Sequence, residues 1–320
     1  MRYTRREFGK FAISAVPAAG ILAEMASGVS AAPAKVNSTI RGVHLGMNVP
    51  YNFDPADRAM DPDEVLADCV KLDVGTVELR SEPVEVFLNA PKVPPGPRRG
   101  MQETPEEQAQ RTAARDALRK WRLGVSMEQV KPFRQKWEDT GVMIAIVKFD
   151  DMEQLSDDEI DYSFNLTKAL GAAALSTEMA IPLAQRLAPF AEKHKMRVGF
   201  HGHLQGTPAM FEQAISYGPY NCINLDLGHF LVANKTSPVP FLKEQHERIT
   251  HVHVKDRKYD GATVPFGQGD VPIVEVLHLI RDNKWPIPAI IEFEYPIPAD
   301  SDRMTELAKC MDYCRKALES

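Results

Sequence analysis

Cysteine is scarce in this sequence, and its spacing fits neither a thiolate metal site nor a disulfide framework. The four cysteines, Cys69, Cys222, Cys310 and Cys314, contain no CxxC pair. Cys310 and Cys314 are four residues apart on a predicted helix, where a disulfide would be strained. The sequence therefore argues against thiolate-bound metals and predicts a fold without disulfides.

The sequence also lacks a basic tract. It contains 38 lysines and arginines against 44 aspartates and glutamates, which gives a formal net charge of −6. Nucleic-acid binding requires a concentrated positive surface. We therefore predict that nucleic acid is not a partner.

The apolar run that begins at Phe11 has 13 residues, fewer than the ~20 that a membrane-spanning helix needs. It follows the pair Arg5 and Arg6 and precedes small residues near Ala34, an arrangement typical of a twin-arginine export signal. We predict that residues 1–34 are a cleaved signal peptide and that the protein is periplasmic or secreted. After cleavage, no integral membrane segment is expected.

The remaining sequence alternates short apolar runs with longer amphipathic ones, which predict strands and helices respectively. Eight strands are predicted, at residues 41–48, 74–81, 142–149, 172–179, 197–204, 222–229, 248–256 and 288–295. The strand–helix alternation continues without an interdomain linker. It predicts one α/β domain over residues 35–320, folded as a closed (β/α)8 TIM barrel.

A long insertion follows the second predicted strand. Residues 82–141 contain a loop rich in proline, glycine and arginine and then two helical runs. A loop of this length at the C-terminal end of a barrel strand is typical of a lid or a subunit contact, so a homo-oligomer is possible. Arg98 and Arg99 can meet an acidic substrate there or lie on a solvated charged surface.

Charged residues and histidines gather at the predicted C-terminal ends of the strands, where barrel enzymes carry their chemistry. They are Glu78, Arg80, Lys148, Asp150, Glu178, His201, His203, Asp226, His229, His251, His253, Lys255, Asp256, Glu292 and Glu294. Five of the nine histidines belong to this group. Carboxylates and imidazoles without cysteine suit one divalent ion, such as Mn²⁺, Co²⁺, Mg²⁺ or Zn²⁺.

His251 and His253 are two residues apart in the run ITHVHVKD, so both face the same side of the predicted strand. Such a pair can provide a metal ligand at a strand end, or it can be two hydrogen-bonded histidines of the core. His251 lies one pleat deeper than His253, where we expect packing or a supporting hydrogen bond.

The order of the site residues resembles the xylose-isomerase-like barrels of the sugar phosphate isomerase/epimerase superfamily. The resemblance covers nearly all of residues 40–318. The matching positions are Glu178 in STEM, Asp226 and His229 in DLGH, His253 in HVHVKD and Glu292 in IEFEY. The resemblance implies that Glu178, Asp226, His253 and Glu292 hold one divalent metal ion. It also implies that Glu178 and Glu292 are the acid/base pair and that His229 binds the substrate.

Five further residues are predicted to be substrate contacts. His201 and His203 can bind the substrate, join the metal site or act as an additional base. Glu78 can contact the substrate or support a metal ligand. Lys255 lies at the end of the seventh predicted strand and Arg257 directly follows it, so both can reach the same end of the barrel.

The implied function is proton abstraction next to the carbonyl of a small-molecule sugar or keto-sugar, giving isomerisation or epimerisation. Two alternatives stay open. One is a metal-dependent lyase or hydrolase that acts on 3-keto-glycosides by β-elimination, and the other is a non-catalytic sugar-binding barrel. Residues 261–272 resemble the family's glycine-rich loop that closes over the site, but they can also form a surface turn.

Overall fold

The computed structural model describes residues 35–94, 96 and 102–320. The predicted signal peptide lies outside these residues, as do Arg98 and Arg99 of the predicted insertion. Within the described ranges, no helix has the length and apolar character needed to cross a membrane.

Eight parallel strands close into a barrel, which confirms the predicted α/β TIM-barrel fold. The barrel strands β2–β9 follow one another in sequence order, and β2 also pairs with β9. A short strand β1, Thr39–Ile40, pairs antiparallel with the start of β2. The barrel strands span Val43–Val49, Thr76–Arg80, Met143–Lys148, Ala174–Glu178, Arg197–His201, Asn221–Asp226, Ile249–Val254 and Ala289–Ile291. Each predicted strand therefore has a counterpart in the structure.

The described ranges contain eleven α-helices. They are α1 Pro62–Lys71, α2 Glu82–Phe87, α3 Pro105–Gly124, α4 Lys131–Thr140, α5 Asp157–Ala169, α6 Ile181–His194, α7 Pro208–Ser216, α8 Leu227–Asn234, α9 Val239–Gln245, α10 Ile273–Asp282 and α11 Arg303–Glu319. Thr104 and Ser156 begin two of them with capping boxes, in which the side chain and a glutamate three residues later satisfy free N–H groups. Such local signals fix where the helices start.

The predicted insertion after the second barrel strand is present and contains α2, α3 and α4. None of the residues of α3 is buried, but its last turn is anchored through Arg122. The Arg122 guanidinium lies 2.8 Å from Glu85 and 3.2 Å from Glu159. One arginine therefore ties this long helix to α2 and α5.

The pleat of each strand separates apolar from polar side chains. Val252 and Val254 of β8 join the hydrophobic core, whereas His251 and His253 of the same strand both contact Glu78. Gly46 of β2 lets the backbone approach β3, because a Cβ there would lie 2.3 Å from Thr76 O. The strands therefore form a closed, tightly packed barrel, and their polar side chains gather at one end of it.

Candidate active site

Four side chains from four consecutive strands meet at the C-terminal end of the barrel. His201 ends β6, Asp226 ends β7, His253 lies in β8, and Glu292 directly follows β9. One donor atom from each lies within 4.8 Å of the others. All four residues are buried. We call this group the four-donor cluster.

The four-donor cluster fits a divalent metal ion. His201 Nε2 and His253 Nδ1 have no hydrogen-bond partner among the described residues, although buried polar atoms normally have one. His201 Nε2 lies 3.5 Å from Asp226 Oδ2, and His253 Nδ1 lies 3.3 Å from Glu292 Oε2. Two ligands at ~2.1 Å from a tetrahedral ion are ~3.4 Å apart, so these separations suit atoms that share an ion.

Lys255 brings a positive charge to the carboxylates of the cluster. Its Nζ contacts Glu292 Oε2 and lies 2.8 Å from Asp226 Oδ2 and 2.7 Å from Glu294 Oε1. Burial alone would lower the pKa of Lys255, but the charges of Asp226 and Glu292 raise it well above its usual value. The same charge contributes to the lowered pKa values of Asp226 and Glu292, despite their burial. Both carboxylates are therefore ionised and ready to bind a cation.

Glu78 supports the two histidines of β8 from inside the barrel. Its Oε2 accepts a hydrogen bond of 2.6 Å from His253 Nε2, and its Oε1 lies 3.3 Å from His251 Nε2. Burial raises the pKa of Glu78, but the charges of His253 and His251 outweigh burial and keep it well below its usual value. The bond leaves His253 Nδ1 facing the cluster, as in carboxylate–histidine–metal triads. Of the two predicted roles of Glu78, this geometry favours support of a ligand.

Glu178 lies at the edge of the four-donor cluster rather than within it. Its Oε1 accepts a hydrogen bond of 2.8 Å from Lys148, and its Oε2 accepts one of 2.9 Å from His203 Nε2. Burial raises the pKa of Glu178, but the His203 bond and the Lys148 charge lower it below its usual value. The ligand role of Glu178 stays a prediction. The fourth donor of the cluster is His201.

His201 is held next to the lysine that binds Glu178. Lys148 Nζ lies 3.3 Å from His201 Nδ1. Burial and the Lys148 charge lower the pKa of His201 to about 3. The ring is therefore neutral at physiological pH, and the neutral imidazole is the form that binds metals.

The predicted substrate contacts His203, His229 and Arg257 surround the cluster. The sequence predicts His229 at the end of a strand, but the structure places it in α8. Asp226 ends β7 and caps α8 by accepting a 2.7 Å bond from the His229 N–H. The His203 and His229 rings have centroids 4.6 Å apart. Arg257 lies 3.1 Å from His229 Nδ1 and 3.7 Å from Glu294. Glu178, His203, His229 and Arg257 thus form a polar border that can contact hydroxyl groups.

Two asparagines that the sequence did not point to hold Glu292 in place. Asn48 Nδ2 donates a 3.0 Å bond to Glu292 Oε1. Asn52 donates to Ile291 O at 2.8 Å and accepts from Phe293 N at 2.9 Å, which fixes the backbone on both sides of Glu292. Single asparagines carry no spacing signal, so the three-dimensional structure is needed to identify them.

The fold and the site define a TIM barrel with a buried cluster that fits a divalent ion at its C-terminal end. Residues 176–316 match the family described as "Xylose isomerase-like TIM barrel". This stretch contains all four residues of the cluster. A search of curated proteins found no match.

Solved structures share the fold over most of the chain. The xylose isomerase domain protein from Planctomyces limnophilus is 16% identical, with 86% of this chain and 97% of that chain covered and a TM-score of 0.58. The probable 3-DHS dehydratase AsbF from Bacillus anthracis is 13% identical, with coverages of 86% and 99% and a TM-score of 0.57. The IOLI protein with a binding zinc atom is 12% identical, with coverages of 87% and 98% and a TM-score of 0.58. At these identities the similarity shows the fold.

Proposed function

We propose that the protein is a divalent-metal-dependent enzyme that removes a proton next to a sugar carbonyl and returns it, as an isomerase or epimerase. The observation that carries the proposal is the convergence of His201, Asp226, His253 and Glu292, with the ionised Glu178 at the edge of the cluster. The family match and the zinc atom in the similar IOLI protein support a metal-dependent reaction on a sugar.

The ion would be held by the four-donor cluster of His201, Asp226, His253 and Glu292. The sequence predicts Glu178 as a ligand where this cluster has His201. A bound divalent ion would polarise the sugar carbonyl and lower the pKa of the neighbouring C–H group. Glu78 keeps His253 in the orientation that directs Nδ1 to the cluster. Lys255 balances the charge of Asp226 and Glu292 and also reaches Glu294.

Glu178 and Glu292 are the proposed acid/base pair. Glu178 is ionised and partly exposed at the edge of the cluster, so it can accept a proton from a bound sugar. Lys148 and His203 donate to its two oxygens and hold the carboxylate in one orientation. Glu292 approaches from β9, where Asn48 and Lys255 hold it. Two carboxylates from different strands allow a proton to leave from one position and return at another.

His203 supports elimination as a second candidate reaction. The hydrogen bond to Glu178 raises the pKa of His203 despite partial burial. A protonated imidazole at the edge of the site can donate its proton to a departing glycosidic oxygen. The same proton abstraction would then cleave a 3-keto-glycoside instead of isomerising a sugar.

Deuterium exchange distinguishes these functions. The protein would be incubated with Mn²⁺ in D₂O with free sugars, keto-sugars and 3-keto-glycosides. Deuterium at carbon in the recovered sugar supports isomerisation or epimerisation, and release of an aglycone supports elimination. Chelator-treated protein and His253→Ala protein should be inactive. Equal exchange with and without chelator, or binding of sugars without any reaction, would contradict a metal-dependent enzyme.

A further inference from the structure

Glu294 faces the same end of the barrel as the four-donor cluster. It lies two residues after Glu292, and Phe293 between them packs into the hydrophobic core, so the two glutamates are on the same side of the chain. Lys255 Nζ contacts Glu292 Oε2 and lies 2.7 Å from Glu294 Oε1. The Glu294 side chain is 18% exposed, so a bound molecule can reach its carboxylate.

His229 lies across from Glu294, in the first turn of α8. One donor atom of its ring lies within 4.8 Å of a donor atom of His201 and of one of His203. Because His201 belongs to the four-donor cluster, the His229 ring borders the place where the ion would bind. Its side chain is only 7% exposed, so its polar atoms depend on partners within the site.

Arg257 fixes which nitrogen of His229 carries the hydrogen. Its guanidinium lies 3.1 Å from His229 Nδ1, and arginine can only donate, so Nδ1 accepts. Burial lowers the pKa of His229, and the ring is neutral at physiological pH. A neutral imidazole that accepts at Nδ1 is protonated at Nε2. His229 therefore offers one N–H donor to the site.

Glycine at position 228 makes room for the two cations that support this arrangement. A Cβ there would lie 2.6 Å from Lys255 Cγ and 3.1 Å from Arg257 Cγ. Without a side chain at Gly228, both cationic side chains can pass beside the start of α8. Lys255 then reaches Glu294, and Arg257 reaches His229.

The Nε2–H group of His229 has no acceptor among the described residues. Nε2 is buried and unpartnered, and Glu294 Oε1 lies 3.8 Å away, beyond the ~2.7–3.2 Å of an N–H···O bond. A buried donor without an acceptor is costly. One oxygen atom between the two groups can lie ~2.8 Å from each. It would accept from His229 and donate to Glu294.

Among the groups of a sugar, only a hydroxyl can make both of these bonds. A hydroxyl donates and accepts through one oxygen. Ether and carbonyl oxygens can accept from His229 but cannot donate to the Glu294 carboxylate. Water can bridge the two groups in the free protein, and a sugar hydroxyl can take its place.

We propose that Glu294 and His229 together bind one hydroxyl group of the substrate beside the four-donor cluster, and that Glu294 is a specificity-determining residue. This inference rests on the proposed function and deepens it. A site built to hydrogen-bond a hydroxyl discriminates against the analogue that lacks it, because its buried polar groups are then left unpaired.

Deoxy sugars test the inference. The sugar that reacts in the exchange assay would be compared with each of its monodeoxy analogues, in wild-type protein and in Glu294→Ala. For one analogue, wild-type kcat/KM should fall at least ~10-fold below that of the parent sugar, and this ratio should drop to ~3-fold or less in Glu294→Ala. If the substitution leaves the ratio unchanged for every analogue, Glu294 acts only by holding Lys255, and the inference is overturned.

Nuclear magnetic resonance of the His229 ring tests the inference without turnover. The ring should carry its hydrogen on Nε2. In the presence of Mg²⁺, at least one of a panel of unreactive five- and six-carbon sugar alcohols should shift the Nε2 resonance. Hydrogen on Nδ1, or no shift with any sugar alcohol, would overturn the inference. A shift without reaction of any sugar would support the hydroxyl site and contradict the proposed function, so the two can fail separately.

Variants identify the contribution of Glu294 to this binding. Glu294→Ala should weaken the binding of the sugar alcohol by at least ~10-fold. Glu294→Gln keeps the shape and one accepting oxygen, so it should show an intermediate loss even if the alanine variant does not fold. The matched control is Glu275→Ala on the exposed side of α10, which should bind as the wild type does. Equal binding by the Glu294 variants and the control would overturn the role of Glu294.

Discussion

Glu78 and His253 are joined at the centre of the barrel by a hydrogen bond of 2.6 Å between two side chains with no solvent exposure. The two residues come from strands that are not neighbours, β3 and β8, and are separated by 175 positions in the sequence. A buried bond to a charged group is costly to break, because the remaining partner loses its compensation. The orientation of His253 therefore depends on Glu78.

Glu78→Gln should weaken metal binding by ~10- to 100-fold, the usual effect of losing a carboxylate behind a ligand histidine. The affinity would be measured by competition with a chelator of known strength. Glu192→Gln, on the exposed surface of α6, is the matched control and should bind normally. Unchanged affinity in Glu78→Gln would mean that His253 does not bind the ion in this orientation.

The two histidines of β8 should differ in their effect on metal content. His253→Ala should lose both the metal and the activity, because it removes a donor from the cluster. His251→Gln should retain the metal, since His251 contacts Glu78 and Thr250 rather than the cluster. Metal content after purification and rebinding distinguishes them, and the reverse result would move the ligand by two residues.

His201 and Glu178 compete for the role of fourth ligand, and substitution separates their roles. We expect His201→Ala to lose the metal and Glu178→Gln to keep it while losing carbon–hydrogen exchange. Glu292→Gln should also abolish exchange, by at least ~10²-fold, since the amide keeps the shape but cannot accept a proton. Metal loss in Glu178→Gln with retention in His201→Ala would restore the ligand set implied by the sequence resemblance.

The barrel could be predicted from the sequence because its signals are local and repeated. The short apolar run 142–149 appears in the structure as the predicted strand, and the longer amphipathic run 181–194 forms the helix α6. Short helices are harder to predict. Within the predicted strand 222–229 the apolar run continues past Asp226, and only the cap formed by Asp226 shows that α8 has begun.

The site was predicted less completely, because strand order does not determine which side chains touch. His201 and Glu178 end adjacent strands, and both have suitable donors. The contact of Lys148 with Glu178 draws that carboxylate to the edge of the cluster, and this contact has no counterpart in residue spacing. The bonds of Asn48 and Asn52 to the region of Glu292 depend on closure of the barrel, which brings residues ~240 positions apart together.

Ionisation of Glu82 should make the stability of the folded protein depend on pH. Burial and the charge of Asp150 raise the pKa of Glu82 to about 7, whereas glutamate in an unfolded chain has a pKa of ~4.3. Between these values the folded protein binds a proton that the unfolded chain does not, so stability falls as pH rises towards 7 and then levels off.

Glu82→Gln should therefore raise the melting temperature at pH 8 by ~2–4 °C, for ~1 kcal/mol, with little change at pH 4.5. Thermal unfolding at the two pH values would measure the effect, again with Glu192→Gln as the control. A gain that is equal at both pH values would show that titration of Glu82 is not its cause.

Export by the twin-arginine route is a further proposal, based on Arg5 and Arg6 and the short apolar run after them. Replacing both arginines with lysine should leave the full-length precursor in the cytoplasm, because this pathway reads the arginine pair. Cell fractionation and the size of the protein would show the result. Normal export of the doubly substituted protein would assign the signal to another pathway.

The closing strands join the start of the barrel to its end, and Asn48 holds Glu292 across 244 positions of sequence. In a growing chain, Asn48, which supports Glu292, is synthesised first. The four donor residues follow between positions 201 and 292. The ribosome must therefore finish the last strand before a complete set of ligands exists. On the proposed function, metal uptake would belong to the finished polypeptide, and the cellular compartment in which the barrel closes would decide which ions compete for the site.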